Sequence, residues 1–451
     1  MSVPTHPITR WLSKAPAPVF SAYAILTSFV VYFSMYAFRK PFAAATFENQ
    51  YFFGSNLELK TALVISQIIG YTISKYLGIK VCSEVHSENR AKTLVALILF
   101  AQGSLFLTAL LPGSWKFVAL FINGIPLGMV WGLVVWYLEG RRNTELLLAG
   151  LSCSFIVSSG MVKDIGRNLL ASGMSESWMP ATVGLLFLPI FLFFVWLLDR
   201  LPPPTPEDVQ ARHERVPMDH NDRLSFLNSF LWGLLSLFVV YFFLTAYRDF
   251  RDNYAVEILG ELGYSQAPAI LTRTELPVAF GVLVPLALLV FIRNNRLGLI
   301  AAYSIMLFGL AMMGAASMLL DRDIISGVTW MILIGLGSYL AYVPFGSVLF
   351  DRLIASTRAS GTAVFAIYVA DAIGYTGSVG IQIYRDFSHA DVTRFLFFKN
   401  FTYQISTFGF VFMLLSLFFF LIKQNASETQ TEGMLLDLET GPDDEEALQE
   451  A

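Results

Sequence analysis

The stretch Val30-Val-Tyr-Phe-Ser-Met-Tyr-Ala-Phe-Arg39 returns 209 residues later as Val239-Val-Tyr-Phe-Phe-Leu-Thr-Ala-Tyr-Arg248. Six of the ten positions are identical, Phe38 against Tyr247 is conservative, and an arginine closes each copy. Each copy opens a set of six apolar runs, so the match reads as duplication of a six-helix unit rather than as chance in an aromatic-rich chain. Arg39 and Arg248 are then pseudo-symmetric, one from each half.

Outward from the repeat, windows of the ~20 apolar residues that cross a bilayer fall at 20–46, 61–80, 93–111, 115–137, 145–168 and 180–198, then at 225–250, 276–292, 297–319, 327–350, 361–384 and 402–422. The polar, proline-rich stretch from Arg200 to Arg223 separates the two sets as a linker. The expected fold is an all-α polytopic membrane protein, with twelve transmembrane helices in two pseudo-symmetric six-helix bundles. Its parts are an N-terminal bundle over 1–199, a central loop over 200–223, a C-terminal bundle over 224–422 and an acidic tail over 423–451 that composition predicts to be disordered.

Composition agrees with lipid as solvent. Of 451 residues, 55% are hydrophobic and 14% charged, against ~25% charged in a soluble protein. A net charge of −4 offers no basic face for nucleic acid. Met1 to Pro18 contains Arg10 and Lys14 but no short apolar region ending in a cleavage site, so the first run is expected to stay as a membrane helix. With the amino terminus cytoplasmic, 16 lysines and arginines fall on that side and 13 on the other, a weak positive-inside bias. It places both termini in the cytoplasm of a cell (inner) membrane.

An arginine after an apolar run also reads as one snorkelling to the headgroups. For Arg39 the run Ala22 to Phe38 is short, and apolar sequence resumes with Phe42 to Phe47 beyond Lys40-Pro41. A helix continuing to Phe47 carries Arg39 inside the bilayer, where an arginine is tolerated in a bundle interior or a wet cavity and is a functional candidate by default.

Tyr36-Ala-Phe-Arg39-Lys40-Pro-Phe42-Ala43 resembles the Tyr-x-x-Arg-Lys-x-Phe signature of the organophosphate:phosphate antiporters, a branch of the major facilitator superfamily. Gly70-Tyr-Thr-Ile-Ser-Lys75-Tyr-Leu-Gly78, with Glu84 and Arg90, is similar to that family's second helix and following loop. Gly361-Thr-Ala363 with Gly374-Tyr-Thr-Gly377 resembles its eleventh helix. The resemblance implies the major facilitator fold, with Arg39 and Arg248 as the substrate-phosphate arginines and Lys75 as a third cation on the same cavity. A phosphate leaving water needs charge-assisted donors in fixed geometry, which arginine's planar fork supplies. The chain departs from the pattern where some members carry a histidine in the fifth helix: Ser152 to Gly160 offers hydroxyls instead.

Further ionisable residues interrupt apolar runs. Asp371 lies about ten residues into the eleventh run, where a lone carboxylate costs ~2.5–3.5 kcal/mol. It reads as a proton-coupling site, a counter-ion for a cavity arginine or a structural hydrogen bond. Arg251 shares a face with Arg248 and is an alternative ligand. Glu275, before Pro277 at the expected start of the eighth helix, is a second coupling candidate beside Asp371, pairs with Arg248 or Arg251, or merely begins the helix. Lys163, Asp164 and Arg167 form a polar cluster that reads as an interfacial girdle or as cavity lining.

Enzyme chemistry has little support. His6, His86, His213, His220 and His389 all lie outside the helix interiors, which leaves no buried histidine metal site or base. A P-loop is missing, and no cofactor or metal is expected. The reading is a secondary active transporter of a small organic anion, with phosphate exchange or proton coupling. The rival is a transporter-like receptor that binds the anion and signals, its acidic tail and central loop serving a partner.

Overall fold

The computed structural model describes residues 6–84, 87–141, 143–205, 208, 227–267, 269–289, 291–357, 363–388 and 392–439. Within them run twelve helices of 20 residues or more. The first six are α1 (Ala17–Tyr36), α2 (Leu59–Glu84), α3 (Arg90–Leu110), α4 (Lys116–Leu138), α5 (Thr144–Ala171) and α6 (Met179–Leu198). The second six are α7 (Leu231–Asn253), α8 (Ile270–Leu289), α9 (Asn295–Asp321), α10 (Gly327–Ser347), α11 (Ala363–Ser388) and α12 (Arg394–Glu439).

The duplication is visible in the packing. In the first half α1 packs on α5 and α6, α2 on α4, and α3 on α4 and α6. In the second half α7 packs on α11 and α12, α8 on α10, and α9 on α10 and α12. Each pair is the other moved on by six helices. The halves meet where α5 packs on α8 and α2 on α11, again equivalent pairs. The chain is an integral, multi-pass membrane protein.

Ten of the twelve helices are long and apolar enough to cross a membrane by composition; α2 and α11 fall short. The reason is their polar content, Lys60, Gln67 and Lys75 on one and Asp371, Gln382 and Arg385 on the other. These two helices meet each other between the halves, where polar side chains find partners rather than lipid. Glycines bring neighbours close elsewhere: a Cβ on Gly70 of α2 would stand 2.1 Å from the Phe121 carbonyl oxygen of α4, so backbone packs on backbone there.

Several boundaries differ from those the sequence predicts. α1 stops at Tyr36 instead of continuing to Phe47, and a 3-10 turn, Pro41–Ala44, follows. The repeat explains this. Pro41 lacks the amide that would continue the helix and disfavours helical backbone before it, whereas the matching residue in α7 is Phe250, and α7 runs on to Asn253. α8 begins at Ile270, so Glu275 lies inside it rather than at its start. α12 continues as helix past Lys423 to Glu439, over part of the expected disordered tail; residues 440–451, 206–207 and 209–223 of the central loop, and 224–226 at the start of the second bundle lie outside the described residues.

The ends of α1 and α7 lie on one face, called the far face here, opposite the face where the chain enters α1. With Cys82 and Cys153 replaced by serine, exposed Ser55 and Thr205 lie on opposite faces. Ser55→Cys and Thr205→Cys are therefore expected to react with a membrane-impermeant thiol reagent from opposite sides. Labelling from one side would overturn the helix order.

Candidate functional site

The unwound turn after α1 is held by amides buried in neighbouring helices. Gln67 of α2 donates to the Arg39 carbonyl (2.9 Å) and to Asn123 Oδ1 (2.8 Å). Asn123 of α4 in turn donates to the carbonyls of Phe38 and Ala101, each at 3.1 Å. Backbone released from a helix inside a membrane must be satisfied by protein, and these amides do it. Asn123, an amide within the apolar run Leu120-Phe-Ile-Asn-Gly-Ile-Pro126, was the available sequence signal.

So positioned, Arg39 is 3% exposed and lays its guanidinium over the Tyr71 ring of α2 at 3.9 Å. No described carboxylate pairs with it, and its Nε has no hydrogen-bond partner. From Tyr71 a chain of contacts crosses between the halves. Lys75, one turn along α2, lies 5.5 Å from the Tyr71 ring and pairs with Asp371 of α11 at 3.2 Å. Tyr241 of α7 donates to Asp371 (2.6 Å) and accepts from the Tyr342 hydroxyl of α10 (2.9 Å). Arg248 stands over Tyr342 at 4.2 Å.

Aromatic rings close the circuit on the other side. Phe155 of α5 touches Tyr342 and Trp131 of α4; Trp131 stands edge-on to Tyr32 of α1, which meets Tyr36 below Arg39. The ring draws on both halves, as a site at a repeat interface does. Cation–π contact offers a cation partial compensation while leaving guanidinium donors for another partner.

The expected site residues divide into two groups. Arg39, Arg248, Lys75 and Asp371 meet in the ring. Arg251 and Glu275 pair with each other at 2.7 Å, and Arg251 also donates to the Met331 carbonyl (3.0 Å). Asp371 is the counter-ion of Lys75 rather than of an arginine. Arg248 is held by Asp249, its neighbour in sequence, at 2.9 Å, and Ser378 of α11 donates to the other oxygen of that carboxylate (2.9 Å).

At the far face a second cluster ties the halves together. Asp252 of α7 takes Lys40 (2.5 Å) and Lys163 of α5 (2.9 Å) on its two oxygens, with Ser159 hydrogen-bonded beside them. Lys60 pairs with Glu257 and Arg394 with Glu58, also across the halves. Lys163 is 2% exposed, so the polar patch on α5 is an inter-half contact and not an interfacial girdle. Asp164 accepts from the Thr272 amide (2.7 Å) and Arg167 donates to the Ser265 carbonyl, both in the second half. Sequence reasoning missed Asp249 and Asp252. Their signal was in the repeat, where Asp249 stands at the position of Lys40. The side chain of Glu84 lies outside the described residues.

Comparison with known proteins agrees with this architecture. Residues 41–423 match a family described as a family of unknown function (DUF5690). No curated protein matches the chain in sequence. Among solved structures, the crystal structure of a D-xylose-proton symporter superposes with a TM-score of 0.57 at 14% identity, covering 86% of this chain and 96% of that one. At that identity the likeness shows the fold, two six-helix bundles of the major facilitator type.

Proposed function

This chain belongs to the DUF5690 family, and from the ring of charge at its centre we propose that it is a secondary active transporter of a small organic anion. The observation that carries the reading is Arg39, buried, resting on Tyr71 and without an acidic partner among the described residues. A buried cation lacking a counter-ion is costly, and an anionic cargo supplies one. Likeness to a proton symporter of this fold favours transport over reception. The resemblance to organophosphate antiporters points within the anions to a phosphate ester, exchanged for phosphate or moved with protons.

Alternating access follows from the two layers of contact between the halves. The cluster around Asp252 shuts the far face, and the pair Lys75–Asp371 joins α2 to α11 nearer the entry face. Rocking of one bundle on the other breaks one layer and leaves the other. With the termini cytoplasmic, the far face is the outside of a cell (inner) membrane.

The test is flux in proteoliposomes, after a thermal-shift screen of organic phosphates, sugars and carboxylates has found a ligand that raises the stability of the folded protein. Accumulation of labelled ligand supports transport. Binding without flux favours the rival, a receptor that signals through its acidic tail or central loop. For coupling, Asp371 is the candidate because it is a carboxylate held by both halves. Asp371→Asn is expected to abolish accumulation driven by a pH gradient while exchange persists. Unchanged gradient-driven uptake in that variant rejects the coupling role.

A further inference from the structure

The two repeats end differently in one respect that bears on the cargo's charge. Arg39 is followed by Lys40 and Arg248 by Asp249, so the equivalent positions carry opposite signs. Lys40 turns away from the ring to Asp252 and Asn253 at the far face, its Nζ lying 2.8 Å from Asn253 Oδ1. Asp249 instead turns onto its own arginine at 2.9 Å and is pinned by Ser378. Within the ring Lys75 pairs with Asp371 and Arg248 with Asp249, while no described carboxylate is in direct contact with Arg39; Asp249 acts on it only from beyond its own pair with Arg248.

We infer that Asp249 sets the valence of the cargo: it occupies the second arginine from within, so the site takes a singly charged head, a carboxylate, sulfonate or phosphodiester, in preference to a dianion. The inference rests on the anion-site reading above and narrows it: among phosphate esters it keeps the diesters and sets aside monoester dianions and their exchange for dianionic phosphate. One negative charge at Arg39 brings three cations and two carboxylates to balance. A second negative charge leaves the interior with an excess that low dielectric makes costly. Asp249 also acts by repulsion, since a dianion reaching for Arg248 meets a carboxylate already there, a discrimination against the wrong ligand as much as attraction to the right one.

Methyl sulfate and sulfate test this directly. They share a tetrahedral head, stay ionised across neutral pH and differ by one charge. Thermal midpoints of the purified full-length protein are titrated with each choline salt at constant ionic strength, so that apparent affinities follow from the stabilisation. The wild-type protein is expected to bind methyl sulfate about tenfold more tightly than sulfate, a difference of ~1.4 kcal/mol. Asp249→Asn, which frees Arg248, is expected to reverse the order, and Arg39→Gln to abolish both shifts. The wild-type ratio needs no variant: a preference for sulfate overturns the inference. So does an order unchanged by Asp249→Asn. If both anions bind in an Arg39-dependent way but with no preference, the valence inference falls and the anion site stands. If neither anion shifts the midpoint, both fall.

Discussion

Replacing Arg39 with lysine is expected to leave the protein folded and membrane-inserted but to weaken anion binding by about 10- to 100-fold, the ~1.5–3 kcal/mol of a charge-assisted hydrogen bond. Lysine keeps the positive charge yet loses the planar fork that offers paired donors to an oxyanion. It also loses the flat face that lies on Tyr71 at 3.9 Å. Because the Arg39 backbone is held by Gln67 and its neighbour by Asn123, the turn keeps its shape in the variant, which separates binding from folding. Arg248→Lys is expected to cost less, since a lysine there still faces Asp249. Midpoint shifts with the screened ligand, measured beside proteoliposome flux, decide it. Binding and flux of wild-type size in Arg39→Lys would sink the site, and equal losses in both variants would show that the second arginine bears on the anion as strongly as the first.

The second large effect is at Asp252. This carboxylate, 14% exposed at its side chain, is shared by Lys40 and Lys163 from the opposite half. Asp252→Asn keeps the shape and removes the charge, leaving two buried lysines uncompensated. Breaking a buried pair by neutralising one partner costs about 3–5 kcal/mol, and here it acts on the contact between halves. The closed far face should therefore lose population to conformers in which it opens. Thr61 reports on this: it is fully buried, with its hydroxyl 3.0 Å from that of Tyr254 in the other half. In a background lacking Cys82 and Cys153, Thr61→Cys is expected to resist an impermeant thiol reagent with Asp252 present and to react readily in Asp252→Asn. Equal protection in both backgrounds would remove Asp252 from the far-face closure.

Much of the frame was legible in the chain itself. A bilayer solvent, twelve helices and a duplicated unit follow from apolar runs and from one repeated decapeptide. Hydrophobic length and repetition are local properties, readable without knowing what packs on what. The end of α1 was not: the apolar run suits a helix continuing to Phe47, whereas the helix closes at Tyr36 ahead of Pro41. The amides of Gln67 and Asn123 satisfy the released carbonyls, which removes the penalty for stopping. The meeting of Arg39, Arg248 and Lys75 was an expectation from resemblance, and the fold brings them to one ring.

By itself the sequence determined which ionisable residues lie within apolar surroundings, and hence which few have to be paired or put to use. Only the tertiary structure decided the pairing. Arg251 belongs to Glu275, Lys75 to Asp371, Lys40 and Lys163 together to Asp252, and Arg39 to no acid among the described residues. The partners of Lys40 and Lys75 lie more than 200 residues away in the chain, at distances set by how α2 packs on α11 and how α1 and α5 approach the end of α7. In an interior of low dielectric, charge interactions grow steeply as separation shrinks. Which carboxylate stands in contact with which cation, a matter of helix packing and not of residue order, therefore settles where the uncompensated charge resides.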